Sequence, residues 1–114
     1  MNFTHEELIA KVMEWAEEKK AEGLKYFDVR GKTDYTDGII VCHGSVEMHL
    51  RAIAENIITN AKQNKVQILS KEGTDQASWI LIDMGEVVVH IFNEETRAYY
   101  NLEKLLENAP KDRE

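Results

Sequence analysis

Apolar residues recur at helical spacing from the start of the chain. Leu8, Ile9, Val12, Met13 and Ala16 return every three or four positions and predict an amphipathic helix. Thr4 and Glu7 stand at the two positions of a capping box, and Phe3 and Leu8 at those of a hydrophobic staple, so the helix starts at Thr4. Gly23 offers a left-handed stop. Trp15 widens the apolar stripe, enough to serve a core or to meet another subunit. The short aromatic run 24–29 reads as a strand, 30–37 as a polar loop and 38–43 as a buried strand. Gly44-Ser45 then turns into a second helix with Ser45 as its N-cap. Val46, Leu50, Ile53, Ile57 and Ala61 form the stripe of that helix, with Ala54 and Ile58 beside it. Residues 66–69 predict a third strand, and 71–76 a surface loop of turn-forming residues.

The runs 79–83 and 86–92 flank a short glycine-containing turn and read as a hairpin. With an even loop, Asp83 lies opposite Glu86 and Trp79 opposite His90. Side chains alternate across a strand, so two faces follow. Ile80, Ile82, Val87, Val89 and Ile91 make an aliphatic face that belongs to the core. Trp79, Leu81, Asp83, Val88, His90 and Phe92 make a mixed face of apolar bodies with polar handles. Such a face either meets a partner or is covered by a helix of the same chain. Asn93-Glu94-Glu95 predicts a capped helical turn, and Asn101 the cap of a last helix over 102–106, stopped at Ala109-Pro110. Together these elements predict one α/β (α+β layered) domain over 1–110, a mixed sheet with flanking helices, and a frayed tail over 111–114.

Composition narrows the function classes. Hydrophobic residues are 43% and charged residues 31% of 114, the balance of a folded chain with one core. No apolar run approaches the length of a membrane span, and the acidic opening residues lack the basic and apolar regions of a leader, so a cytoplasmic protein is expected. The single cysteine, Cys42, excludes an internal disulfide and stands in an apolar run, where an inert core role is expected. A net charge of −7 disfavours direct binding to nucleic-acid backbones and favours steering towards a basic protein.

One stretch is specific enough to name a family. Trp79, the Asp83-x-Gly85 turn, Val87-x-Val89-His90-x-Phe92 and then Arg97-x-x-Tyr100-x-Leu102-Glu103 resemble the ordered signature of the ribosomal silencing factor (RsfS, Iojap) family. Asp37, the apolar strand after it and Gly44-Ser45 resemble the family's upstream motif. The resemblance implies a sheet-and-helix domain related to a nucleotidyltransferase fold without catalytic residues, often a homodimer. It implies docking on ribosomal protein L-fourteen of the large subunit, which blocks joining of the small subunit and lowers translation when nutrients are scarce. It implies no enzyme activity, cofactor, metal or membrane. Carried over residue by residue, it makes Trp79, His90, Phe92, Tyr99 and Tyr100 aromatic contacts and lets Asp83 and Glu103 pair with basic groups of the partner. Arg97 would hold the C-terminal segment. Two positions depart from the pattern: Gly38 where the family commonly has an aromatic residue, and Leu106 where it usually has tryptophan.

Two chemical readings compete. Gly44-Ser45 at a strand-to-helix turn resembles the phosphate-facing turn of nucleotidyltransferases, but such enzymes need paired acids on the next strand. The predicted strand 66–69 has none. His5, His43, His49 and His90 are the candidate metal ligands, yet no His-x-x-x-His pair lies on a helix face, so no metal is expected. A dimeric interaction module unrelated to ribosomes is the remaining alternative.

Overall fold

The computed structural model describes residues 3–75 and 78–108. The capping box forms as predicted: Thr4 Oγ1 accepts from the Glu7 amide at 3.1 Å, and the Glu7 carboxylate accepts from the Thr4 amide at 2.9 Å. Helix α1 (His5–Glu18) starts there. It ends earlier than a stop at Gly23 requires, because Lys20 takes the left-handed conformation at φ 62° and its amide returns to Glu17. Gly23 instead lies inside strand β1 (Glu22–Asp28), at the irregularity between Glu22 and Lys25. Trp15 is buried in the core, which excludes it from contact with another subunit.

Strand β2 (Gly38–Gly44) pairs antiparallel with β1 and leads into α2 (Glu47–Gln63). The N-cap of α2 is Val46 and makes no side-chain cap bond, which corrects the expected Ser45 cap. His49, in the first turn, instead fixes the approach to the helix: its Nδ1 accepts from the Ser45 amide at 2.9 Å, while its Nε2 bonds the Lys19 carbonyl at 2.7 Å. Val46, expected in the apolar stripe, is exposed because it stands at the N-cap, whereas Leu50, Ile53, Ala54, Ile57, Ile58 and Ala61 are buried as the stripe predicts.

Residues 66–69 do not form a strand. The Val66 amide returns to Ala61 and closes the end of α2, and only the Leu69 amide reaches the sheet, at Asp83. The strand is β3 (Ser70–Glu72), three exposed polar residues at the sheet edge, which also takes 71–72 out of the expected loop. Charged side chains on a very short edge strand discourage pairing with a further chain. Gln76 lies outside the described residues. Strand β4 (Trp79–Asp83) and strand β5 (Val87–Asn93) form the hairpin, followed by α3 (Glu94–Tyr100) and α4 (Leu102–Asn108). Asn93 caps α3 as expected, its Oδ1 accepting from the Thr96 amide at 2.8 Å. Asn101 ends α3 in the left-handed region, and its carbonyl accepts from Lys104 as α4 begins. The expected stop at Ala109-Pro110 and the tail 111–114 lie outside the described residues.

The five strands run in the order β1-β2-β5-β4-β3. The central pair β2–β5 is parallel and the other pairs antiparallel, so the sheet is mixed as predicted. Both central strands are buried on both faces, which explains their near-continuous apolar runs. Helices α1 and α2 pack on one face over Ile40, Cys42, Ile80, Ile82, Val87, Val89 and Ile91. On the opposite face Leu106 of α4 packs with Val29, Ile39, Val41 and Phe92. No helix among the described residues is long and apolar enough to cross a membrane.

The departure at Gly38 has a physical answer. The Tyr26 ring lies across this glycine, so close that a Cβ there would stand 2.6 Å from Tyr26 Cε1. The space that an aromatic side chain at position 38 would claim is filled from the neighbouring strand. Beyond it, the His5 ring bonds the Glu86 carboxylate at 2.8 Å through Nδ1 and the Tyr26 hydroxyl at 3.3 Å through Nε2. This chain ties the start of α1 to the hairpin turn.

Candidate partner-docking face

The hairpin register sets which side chains meet. Met84 donates its amide to the Val87 carbonyl at 2.9 Å, so the two-residue turn is Gly85-Glu86 rather than Met84-Gly85. Gly85 takes φ 86°, and Asp83 Oδ1 accepts its amide at 2.8 Å. Trp79 therefore lies opposite Phe92 rather than His90, and Asp83 opposite Val88 rather than Glu86. Each partner moves by two positions, and a shift of two leaves every side chain on its predicted face.

The mixed face is both covered and open. Helix α4 roofs the part over β1, β2 and β5. Over β4 and β3 the face is free: Trp79, Leu81 and Asp83 are half-exposed, and Ser70 and Glu72, directly opposite Asp83 and Leu81, are exposed. Tyr100 continues this strip, its ring centroid 4.8 Å from that of Trp79, and Tyr99 meets Tyr100 edge-on at 5.0 Å. Tyr99 is 81% exposed, far more than packing on its own chain would leave.

His90 and Phe92 do not supply the contact area expected of them. Phe92 is fully buried under Leu106, and His90 is 7% exposed. His90 instead accepts the Trp79 indole N–H at Nδ1, at 3.0 Å across the diagonal of the hairpin. Burial lowers its pKa to about 4, so the ring is neutral at physiological pH. Leu81 and Glu72 are the residues of this strip that sequence reasoning left out of the site. Leu81 was signalled by its alternation with Trp79 and Asp83. Glu72 was hidden by the misplaced strand.

Arg97 holds the C-terminal segment, as expected of it. Its Nε and Nη2 grip both oxygens of Glu103 at 2.8 and 3.0 Å. Nη2 also donates to the Gly23 carbonyl at 2.8 Å, and Nη1 to His43 Nδ1 at 2.7 Å and the Glu22 carbonyl at 3.5 Å. The guanidinium thus joins α3 to α4, β1 and β2. Hydrogen bonding to Arg97 holds the Glu103 carboxyl below its ordinary value, and Lys25 approaches it at 3.3 Å. Glu103 is therefore engaged within its own chain, leaving Asp83 and Glu72 as the acids of the open strip.

The competing chemistries fare differently. The strand after α2 carries Glu72, so the expected acid-free strand does not stand as written. Glu72 is nevertheless the single carboxylate of that strand, which lacks the Asp-x-Asp pair, and it lies on the face away from α2. The four histidines lie in separate contacts, and no group of three metal-ligating side chains occurs among the described residues. Cys42 is buried, and burial pushes its thiol up to about 12, the inert state expected of it.

Comparison with known proteins gives this surface its context. The family model described as "Ribosomal silencing factor during starvation" matches residues 2–114. Ribosomal silencing factor RsfS of Bacillus subtilis (strain 168) is 42% identical over 94 residues, covering 82% of this chain and 80% of that protein. The Mus musculus protein "Mitochondrial assembly of ribosomal large subunit protein 1" is 30% identical over 91 residues, 77% of this chain and 40% of that one. A crystal structure of a Chromobacterium violaceum protein superposes with a TM-score of 0.90 at 27% identity, covering 95% of this chain and 90% of that one. Sequence, fold and motif agree across nearly the whole length: the chain belongs to the ribosomal silencing factor family, RsfS.

Proposed function

We propose that this protein represses translation by docking on the large ribosomal subunit through ribosomal protein L-fourteen and sterically preventing the small subunit from joining. The observation that carries the reading is the open half of the β-sheet face. One strip presents Trp79, Leu81 and Tyr100 as apolar area beside Asp83 and Glu72, while the adjoining part of the same face is sealed by α4. An apolar centre with an acidic rim suits a basic protein surface, and the net charge of −7 steers the approach. The action is competition for a surface and includes no chemical step. A homodimer away from the ribosome and residence in the cytoplasm complete the reading.

The test is co-sedimentation with purified large subunits together with a subunit-joining assay, for wild type and a Leu81→Ala/Tyr99→Ala variant. Both side chains reach solvent. Wild type is expected to co-sediment and to reduce joining, and the variant to bind at least about tenfold more weakly. Absence of binding by folded wild type would leave an interaction module unrelated to ribosomes.

A further inference from the structure

His90 is tied on one side only. The Trp79 indole nitrogen carries a hydrogen that it can only donate, and it meets Nδ1 of His90 at 3.0 Å. Nδ1 must accept, so in the neutral ring the proton sits on Nε2. No described residue accepts from that Nε2–H, yet no fully enclosed side-chain nitrogen or oxygen among the described residues lacks a partner. The N–H therefore emerges through the small part of His90 that solvent reaches. Its direction follows from the neighbours. Val41 on β2 and Phe92 along the strand are fully buried, whereas Leu81 opposite and Trp79 on the diagonal are half-exposed. The neighbours of His90 that solvent reaches thus lie on the side of the uncovered strip.

We infer that His90 serves the docked ribosomal protein as a fixed hydrogen-bond donor, its Nε2–H meeting an acceptor oxygen, with Trp79 as the residue that fixes which ring nitrogen carries the proton. The inference rests on the large-subunit reading and gives the contact its chemistry. The partner must bring a carbonyl, hydroxyl or carboxylate oxygen to the floor of the strip, framed by apolar contact with Leu81 and Trp79. A lysine or arginine set there would oppose donor to donor, so the partner's basic groups belong at Asp83 and Glu72. A donor that loses its water and finds no acceptor penalises a wrong partner more than a right one gains, which makes it a device for selectivity.

Two substitutions separate the two sides of the ring. In His90→Asn the side-chain oxygen can still accept from Trp79, but the amide stops short of the Nε2 position. In His90→Gln the amide reaches that position. Titration of large subunits with the full chain should show His90→Asn weakened about tenfold, with most of the loss recovered by His90→Gln. Wild-type affinity in folded His90→Asn would overturn the inference and leave the large-subunit reading intact. Failure of wild type to bind would remove both. Long-range proton–nitrogen spectra of the free wild-type chain give an answer that does not depend on the variants folding. The proton is expected on Nε2 of His90 at neutral pH, and a proton on Nδ1 would overturn the inference.

Discussion

Arg97 grips both oxygens of Glu103, six residues ahead of it, across the left-handed corner at Asn101 that joins α3 to α4. A planar guanidinium suits this geometry, because its remaining N–H groups reach Gly23, Glu22 and His43 at the same time. Arg97→Lys keeps the charge and loses the fork. It is expected to cost about 2–3 kcal/mol in urea denaturation and to make α4 the first site of proteolytic cutting. Gly23→Ala attacks the same clamp from the other side, since a Cβ there would run into the guanidinium and the position has φ 62°. The double variant should be less unstable than the sum of the two singles.

His90 makes stability depend on pH. Its folded pKa of about 4 lies below the ordinary 6.5, so between those values the unfolded chain binds a proton that the folded chain refuses. Its contribution is full above 6.5 and falls as pH drops towards 4, by roughly 3 kcal/mol in all. Denaturation at pH 7.5 and 5 should therefore differ more for wild type than for His90→Asn. Equal differences would mean that the ring is not held neutral. Glu103 acts lower on the scale: its depressed carboxyl loses its contribution only as pH falls below the usual carboxylate range.

Tyr26 and Gly38 should behave as one unit. Gly38→Tyr puts a second ring where Tyr26 already lies and is expected to cost about 2 kcal/mol. Adding Tyr26→Ser should recover part of that loss, and thermal unfolding of all four proteins gives the coupling. Additive effects would mean that the two rings do not compete for one space.

Leu106 carries the roof over the covered half of the sheet. Leu106→Ala opens a cavity against Val29, Ile39, Val41 and Phe92 and is expected to cost about 2–4 kcal/mol. Leu106→Trp overfills the same buried site and should cost about 1–3 kcal/mol. Calorimetry on the two variants distinguishes a snug leucine site from one with spare room.

The division of residues between the two sheet faces was legible in the sequence because alternation survives any shift of two. The turn was not, since Met84-Gly85 and Gly85-Glu86 both place a glycine in a two-residue loop, and only the Asp83 bond to the Gly85 amide selects the second. Strand β3 was hidden because Val66 and Ile68 have the stronger strand character, yet their apolar side chains pack without joining the ladder. The α2 start was hidden because the helix begins one residue later than Ser45, at Val46, with no side-chain cap bond to mark it. The extent of the docking face was beyond reach of local pattern altogether. It depends on where α4 comes to rest, which the Arg97–Glu103 bonds and the burial of Leu106 decide together.

The floor of the open strip lies on strands and is already tied by the Trp79–His90 bond, while the Arg97 clamp holds the neighbouring α4 in place. A surface so prepared has little left to order when a partner arrives. Association would then sacrifice little chain freedom, proceed at the rate of productive encounter, and discriminate between partners chiefly by how long each one stays.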